Sequence, residues 1–404
     1  MRFMKKRSRC FVYTIALILL LTACRSAAQE ENSYAVDSDH SSETEKAIVP
    51  ENWEIREPTV KALILPDSVK IICDIPNEYT TSAAIHEISF FEPDEKSVLS
   101  TFFPNEKPTC TEYAEGPQYA VGDTTLLYLH TGVIRGGLNY SRWPGGQTKN
   151  GQFLARNSDK DSVTKREEPT ITDQLAGWDR MQSFSSEENL SFIDREELIK
   201  EISDIMEECS FPKVSIQRML ARDVNTLNTN REIYNQSGFK PIEEFSPEEE
   251  DYWIEYEQVI DGIPLATKTW HRVPDMDSSA GVLHVRYSAA YGLDSLYALN
   301  LYEDRGVLGE TAIISPETAV AVFIEDYMQS LEPPDVEICG IRLQYCVNQS
   351  GDHLYLRPAW LLTIKTMREG TFEEGGEPFP FAEYQTIAVS ANTAHIMEKE
   401  TDLR

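Results

Sequence analysis

Twice along this chain a helix-spaced apolar stripe is followed by a run of alternating strands. No other feature restricts the fold as much, because an amphipathic helix and a one-sided sheet each need cover for an apolar face. The first stripe is Leu198, Ile199, Ile202, Ile205 and Met206, behind an N-cap signal at Asp194 with acidic Glu197 three residues on. Val214 to Met219 then alternates. Tyr252, Ile254, Tyr256 and Ile260 alternate into Asp261-Gly262, a two-residue hairpin signal. Ile263 to Trp270 returns from that turn, and Leu283 to Tyr287 and Ser295 to Tyr302 close the unit. The second stripe is Val320, Phe323, Ile324, Tyr327, Met328 and Leu331. Ser315 caps it, Pro316 opens it and Pro333-Pro334 stops it. Val336 to Val347, Leu354 to Thr366 and Thr386 to Ser390 read as its strands, with Ala394 to Met397 at the end. The pattern predicts an α+β fold of repeated helix-plus-antiparallel-sheet modules, the first over 194–302 and the second over 315–398.

Residues 51–165 form a less legible mixed α/β region. Val69 to Ile75 and Thr124 to His130 read as strands, and Gly136-Gly137 as a turn into Leu138 to Trp143. Ala83 to Phe103 is apolar without a clear period. Gln147 to Glu168 is polar and charged and reads as a loop or boundary.

The first residues address the chain. Arg2, Lys5, Lys6, Arg7 and Arg9 precede an uncharged run from Phe11 to Leu21. Eleven helical residues span about 16 Å, half a bilayer core, so the run reads as a signal segment and not a membrane span. Leu21-Thr22-Ala23-Cys24 follows and resembles the lipobox of bacterial lipoproteins. The resemblance implies a signal peptide over 1–23, cleavage after Ala23 and lipidation of Cys24. Two or three acyl chains anchor a protein stably where one would be marginal. Residues 24–50 are rich in Ser, Glu, Asp and Ala, and read as a flexible acidic tether. The expected location is the cell membrane, with the body held by acylated Cys24 and facing outside the cytoplasm.

The 404 residues include 37 Lys and Arg against 67 Asp and Glu, a net charge of −30. Five basic and no acidic residues leave with the signal, taking −30 to −35. That charge argues against nucleic acid as a partner. Of seven cysteines, Cys10 leaves with the signal and Cys24 takes the lipid. Cys73, Cys110, Cys209, Cys339 and Cys346 remain, an odd number, so at least one stays free or pairs between chains. Cys339 and Cys346 read as one strand. Extended, they stand about 23 Å apart, far beyond disulfide reach, and pair only if the chain turns at Gly340.

No residues in the sequence assemble a known catalytic signature. The seven histidines form no HExxH, and GxSxG, Walker A and GxGxxG are absent. Gly145-Gly146-Gln-Thr-Lys149 lacks a phosphate-loop ending. Asp275 and Asp277 begin like a calcium loop, but Ala280 and Arg286 stand where Gly and Glu are needed. His284 reads as a structural or exposed strand residue. The run Glu243-Glu244 and Glu248 to Asp251 reads as a solvated linker, or more sharply as a surface for a cation or a basic partner. Trp360, Phe379, Phe381 and Tyr384 fill a core or line a groove.

A family resemblance joins these pieces. Tyr252-x-Ile254-x-Tyr256 with Asp261-Gly-Ile-Pro-Leu265, Ser315-Pro-Glu-Thr-Ala319, Leu356-Arg-Pro-Ala-Trp360 and Ala391-Asn-Thr-Ala-His-Ile396 resemble PepSY-like and YycH/YycI-like extracytoplasmic modules. With the lipobox, the chain resembles uncharacterised lipoproteins of Gram-positive Firmicutes. The resemblance covers roughly 190–398. It implies binding or regulatory domains and brings no catalytic residues and no cofactor. It departs from YycH/YycI in carrying a lipid anchor in place of a transmembrane helix. The expected function is that of a non-enzymatic lipoprotein that binds or regulates a membrane or wall protein partner. The alternatives are a solute or cell-wall-fragment binder, or a hydrolase with an unrecognised carboxylate site.

Overall fold

The computed structural model describes residues 61–142, 181–236, 241–266, 281–329, 335–350, 353–370 and 379–397. The expected signal segment, Cys24, the expected tether, the 147–168 stretch, the Gly145–Lys149 run, Asp275, Asp277 and Pro333-Pro334 lie outside them.

Two large sheets organise the chain into a strand-rich α+β body. The first contains β1 (Val69–Ile71), β2 (Ser82–Phe90), β12 (Tyr302–Ala312), β13 (Val336–Ser350), β14 (His353–Gly370) and β15 (Phe379–Ser390). Its order is β1-β13-β14-β2-β12, with β15 also on β14. All its pairs are antiparallel except β1 with β13. The second contains β3 (Thr109–Tyr113), β4 (Gly116–Val121), β5 (Thr125–Thr131), β6 (Arg135–Arg142), β7 (Val214–Arg222), β8 (Asp251–Ile260), β10 (Val282–Ser288) and β11 (Gly292–Leu299). Its order is β3-β4-β5-β6-β11-β10-β8-β7, and the two-residue β9 (Ile263–Pro264) pairs with β8.

Four α-helices lie among the described residues: α1 (Glu95–Phe102), α2 (Arg195–Glu208), α3 (Val224–Gln236) and α4 (Pro316–Tyr327). Their starts follow the capping chemistry of the sequence. The Asp194 carboxylate accepts from Glu196 N at 2.8 Å, and Ser315 Oγ accepts from Thr318 N at 3.2 Å. Helix α4 lays Val320, Phe323 and Ile324 against Ile338, Leu356, Leu362 and Val389 of the first sheet. Helices α1 and α2 lay Val98, Leu198, Ile202 and Met206 against Leu127, Leu138, Ile254, Val285 and Leu296 of the second. Each of these buried side chains contributes about 1.5–3 kcal/mol relative to exposure.

The helix of 194–302 sits on a sheet containing β7, β8, β10 and β11, and the helix of 315–398 on one containing β13, β14 and β15. Neither sheet is complete without residues 61–142, which add β1 and β2 to one and β3 to β6 to the other. Ala83 to Phe103 resolves into β2 and α1, with Asp94 as the N-cap between them. Gly136-Gly137 is not a turn. Both glycines lie within β6, and the hairpin bends between Thr131 and Arg135. A Cβ on Gly137 would stand 2.2 Å from Ala298 O, so glycine is required by the close approach of β11.

The far end of β8 ties the sheets together. Asp261 and Gly262 take φ of +50° and +80°, the left-handed pair of a tight hairpin, and Leu265 bridges to Tyr345 on β13. Gln258 accepts from Tyr302 N at 2.9 Å and donates to Tyr302 O at 2.5 Å. Arg342 reaches Glu257 at 3.2 Å. His86, 1% exposed on β2, places Nδ1 3.1 Å from Asp304 Oδ1 and Nε2 3.1 Å from Asp261 Oδ2. The Asp261 contact lies off the hydrogen-bonding axis.

Candidate interaction face

The second sheet buries one face under α1 and α2, and alternate residues of the same strands lie on the other, where α3 with Phe184 and Phe245 covers the β7 side and the Trp253 ring packs against their edge. On β8, Tyr252, Ile254 and Tyr256 point to the helices, while Trp253 and Glu255 point away. On β10, Leu283 and Val285 point in, while His284 and Arg286 point away. Strand register then lines up one row: Arg218, Glu255, His284, Tyr297, Asn139 and Tyr128.

Aromatic rings pack along this face. Trp253 stacks on His284 at 4.7 Å between centroids, and His284 stacks on Tyr297 at 5.0 Å. His130 meets Tyr297 edge-on at 6.5 Å. Trp253 Nε1 donates to Glu255 Oε1 at 3.0 Å, and Arg218 pairs with the same oxygen. Burial lowers the pKa of His284 to about 4, and it lowers that of His130 as well. Both imidazoles are therefore neutral at pH 7. Neither ring nitrogen of His130 has a hydrogen-bond partner among the described residues.

A charged quartet supports the row. Arg222 is 0% exposed and Asp251 2%. Arg222 Nη2 donates to Asp251 Oδ2 at 2.7 Å, and Arg286 Nε donates to the same oxygen at 2.6 Å. Arg286 also pairs with Asp294 at 3.2 Å. Burial pushes the Asp251 carboxyl up, but Arg222 and Arg286 outweigh it and hold the pKa below the usual range. Burial raises Asp294 despite Arg286. The Arg222 guanidinium lies 5.4 Å from the Trp253 ring, a cation–π contact that fixes the indole over the quartet.

The face joins residues that sequence reasoning treated apart or missed. Asp251, read as the end of a solvated acidic run, is the buried centre of the quartet. Glu250 before it accepts from Val224 N at 3.0 Å. No motif marks Trp253, Arg222, Asp294 or Tyr297, and Arg286 is marked only as the residue that breaks the calcium-loop pattern. Their signal was the polar half of each alternating strand. His284 is a strand residue with both faces of its ring stacked. Trp360 is core, with Nε1 donating to Ile314 O at 2.9 Å. It also lines a cleft of about 250 Å³ with Tyr79, Glu78 and Asp261. Phe381 and Tyr384 sit on β15, and the side chain of Phe379 lies outside the described residues. Cys24 lies outside them too. Among the described residues no cluster of three His, Cys, Asp or Glu side chains is placed to hold a metal, and no helix is long and apolar enough to cross a membrane.

No family model matches the chain, and no curated protein matches it. Among solved structures it is similar to the crystal structure of an uncharacterised protein from Eubacterium rectale, at 12% identity and a TM-score of 0.51. The match covers 83% of this chain and 92% of that one, and it shows a shared fold.

Proposed function

We propose that this chain is a lipid-anchored extracytoplasmic lipoprotein that performs no catalysis and binds a protein partner at the membrane surface. The lipobox ending in Cys24 carries the anchoring half of the reading. The Trp253–His284–Tyr297 row carries the binding half. Trp, Tyr and Arg are the residue types that dominate the energetic centres of protein interfaces, and here they stand half-buried on a rigid sheet. Each helix with its following strands, α2 with β7 to β11 and α4 with β13 to β15, is read as one copy of a repeated PepSY-like or YycH/YycI-like module. What supports this is the helix-then-strands order common to both, with the helix packed on its own sheet.

The test is crosslinking in intact cells of the full chain tagged at its C-terminus, with co-purifying proteins identified by mass spectrometry. The expected result is one specific membrane or wall protein, lost with Cys24→Ser and depleted at least tenfold with Trp253→Ala. Recovery of no specific protein from cells rich in the tagged chain would overturn the reading in favour of solute or wall-fragment binding.

A further inference from the structure

The parallel pairing of β1 and β13 runs Val69 with Val336, Lys70 with Glu337 and Ile71 with Ile338. Its last rung is Ile72 N donating to Ile338 O at 2.9 Å. A cysteine follows on each chain, Cys73 after Ile72 and Cys339 after Ile338, and the register makes them diagonal neighbours offset by one residue. Strand β13 bulges at this point. Against β14, Ile338 faces Ile364 and Gly340 faces Thr363, which leaves Cys339 as the extra residue. A bulge releases its extra residue from strict in-and-out alternation. Cys339 is buried, with Sγ 3.4 Å from Thr363 O, and Cys73 is half-buried just past the end of β1. Paired strands lie about 4.8 Å apart and rise about 3.3 Å per residue, so diagonal neighbours stand roughly 6 Å apart between Cα atoms, within the range that a disulfide spans.

The other thiols have no such neighbour. Cys346 lies on the same strand as Cys339, and β13 runs through Gly340 without a turn, so the two cannot meet. Cys209 is buried at the end of α2 in the core of the second sheet, and Cys110 is exposed on β3.

We propose that Cys73 and Cys339 are a redox-modifiable pair that closes into a disulfide and fastens β1 to β13. Rotation about χ1 turns the Cys339 thiol from Thr363 toward β1 at the cost of one weak S–H contact. The Cys73 thiolate attacks one sulfur of an external disulfide and expels the other as a thiolate, leaving a mixed disulfide. The Cys339 thiolate then attacks the Cys73 sulfur and expels the second. Two protein thiols give up two protons and two electrons, and the external disulfide becomes two thiols. Burial raises the pKa of both, that of Cys339 to about 11 with the neighbouring Cys73 charge adding to it. Few thiolates form at neutral pH, so closure is slow and quickens as pH rises.

The test incubates the folded full chain, in detergent, with glutathione disulfide, alkylates the remaining thiols and digests without reductant. The expected product is a peptide pair joined through Cys73 and Cys339. A rise in Tm of roughly 5 °C accompanies it and is absent in Cys73→Ser. The linked peptide is read on the unaltered chain, so no variant has to fold. Recovery of Cys73 and Cys339 both alkylated, both glutathionylated, or joined to other cysteines would overturn the proposal.

Discussion

Arg222 and Asp251 sit opposite each other on β7 and β8, joined by two hydrogen bonds, with 0% and 2% of their surfaces exposed. Two charges removed from water this fully are tolerable only because each neutralises the other and Arg286 and Asp294 complete the set. The pair is therefore a point of fragility. Asp251→Ala would leave two buried guanidinium groups facing each other, at an expected cost of about 3–5 kcal/mol. Urea unfolding measures it, and a loss below about 1 kcal/mol would contradict this account of the quartet.

His284 gives the fold an acid sensitivity with a definite sign. Its pKa falls from 6.5 in the unfolded chain to about 4 in the folded one, because burial disfavours the charged ring. Between those values the unfolded chain binds the proton and the folded chain does not. Stability is complete above about pH 6.5 and declines as pH falls toward 4, by on the order of 3 kcal/mol. His130 shifts the same way. His284→Phe, which keeps a stacking ring, is expected to flatten part of this decline in stability curves measured from pH 7 to 4. An unchanged curve would refute the assignment.

Two glycines separate close packing from open space. Gly137→Ala sets a Cβ 2.2 Å from Ala298 O, and backbone must move to admit it, so the expected loss exceeds about 2 kcal/mol. Gly309→Ala meets nothing within 4 Å and is expected to stay within about 0.5 kcal/mol of the parent. Thermal unfolding of the two variants should rank them in this order.

Gln258 closes both backbone groups of Tyr302 and so holds the second sheet to the first. Gln258→Ala would leave a buried N–H and C=O with no such partner, each costing about 1–3 kcal/mol. Hydrogen exchange at the Tyr302 amide is expected to quicken far more than exchange at the Ile254 amide in the middle of β8. Equal changes at both would mean that the link is global and not local.

What the sequence determined alone is local and periodic. Asp194 and Ser315 announce helices because a side-chain oxygen meets free N–H groups two or three residues away. Asp261-Gly262 announces a hairpin because few other pairs take two positive φ angles. Alternation along Tyr252 to Tyr256 shows which side chains face the helices, and the α+β class follows. Only the tertiary structure decided which strands became neighbours. Residues 61–142 divide between both sheets, and the run Ser295 to Tyr302, read as one strand, breaks at Asn300, where β11 ends in one sheet and Tyr302 opens β12 in the other. Trp253, His284 and Tyr297 lie far apart in the chain, and each looks like an ordinary strand residue by itself. Register brings them together, and so it brings Arg222 to Asp251. The physical reason is that strand pairing spends generic backbone hydrogen bonds, which carry no label for their partner. Partner choice rests on the summed burial of whole faces, and no short window of sequence contains that sum.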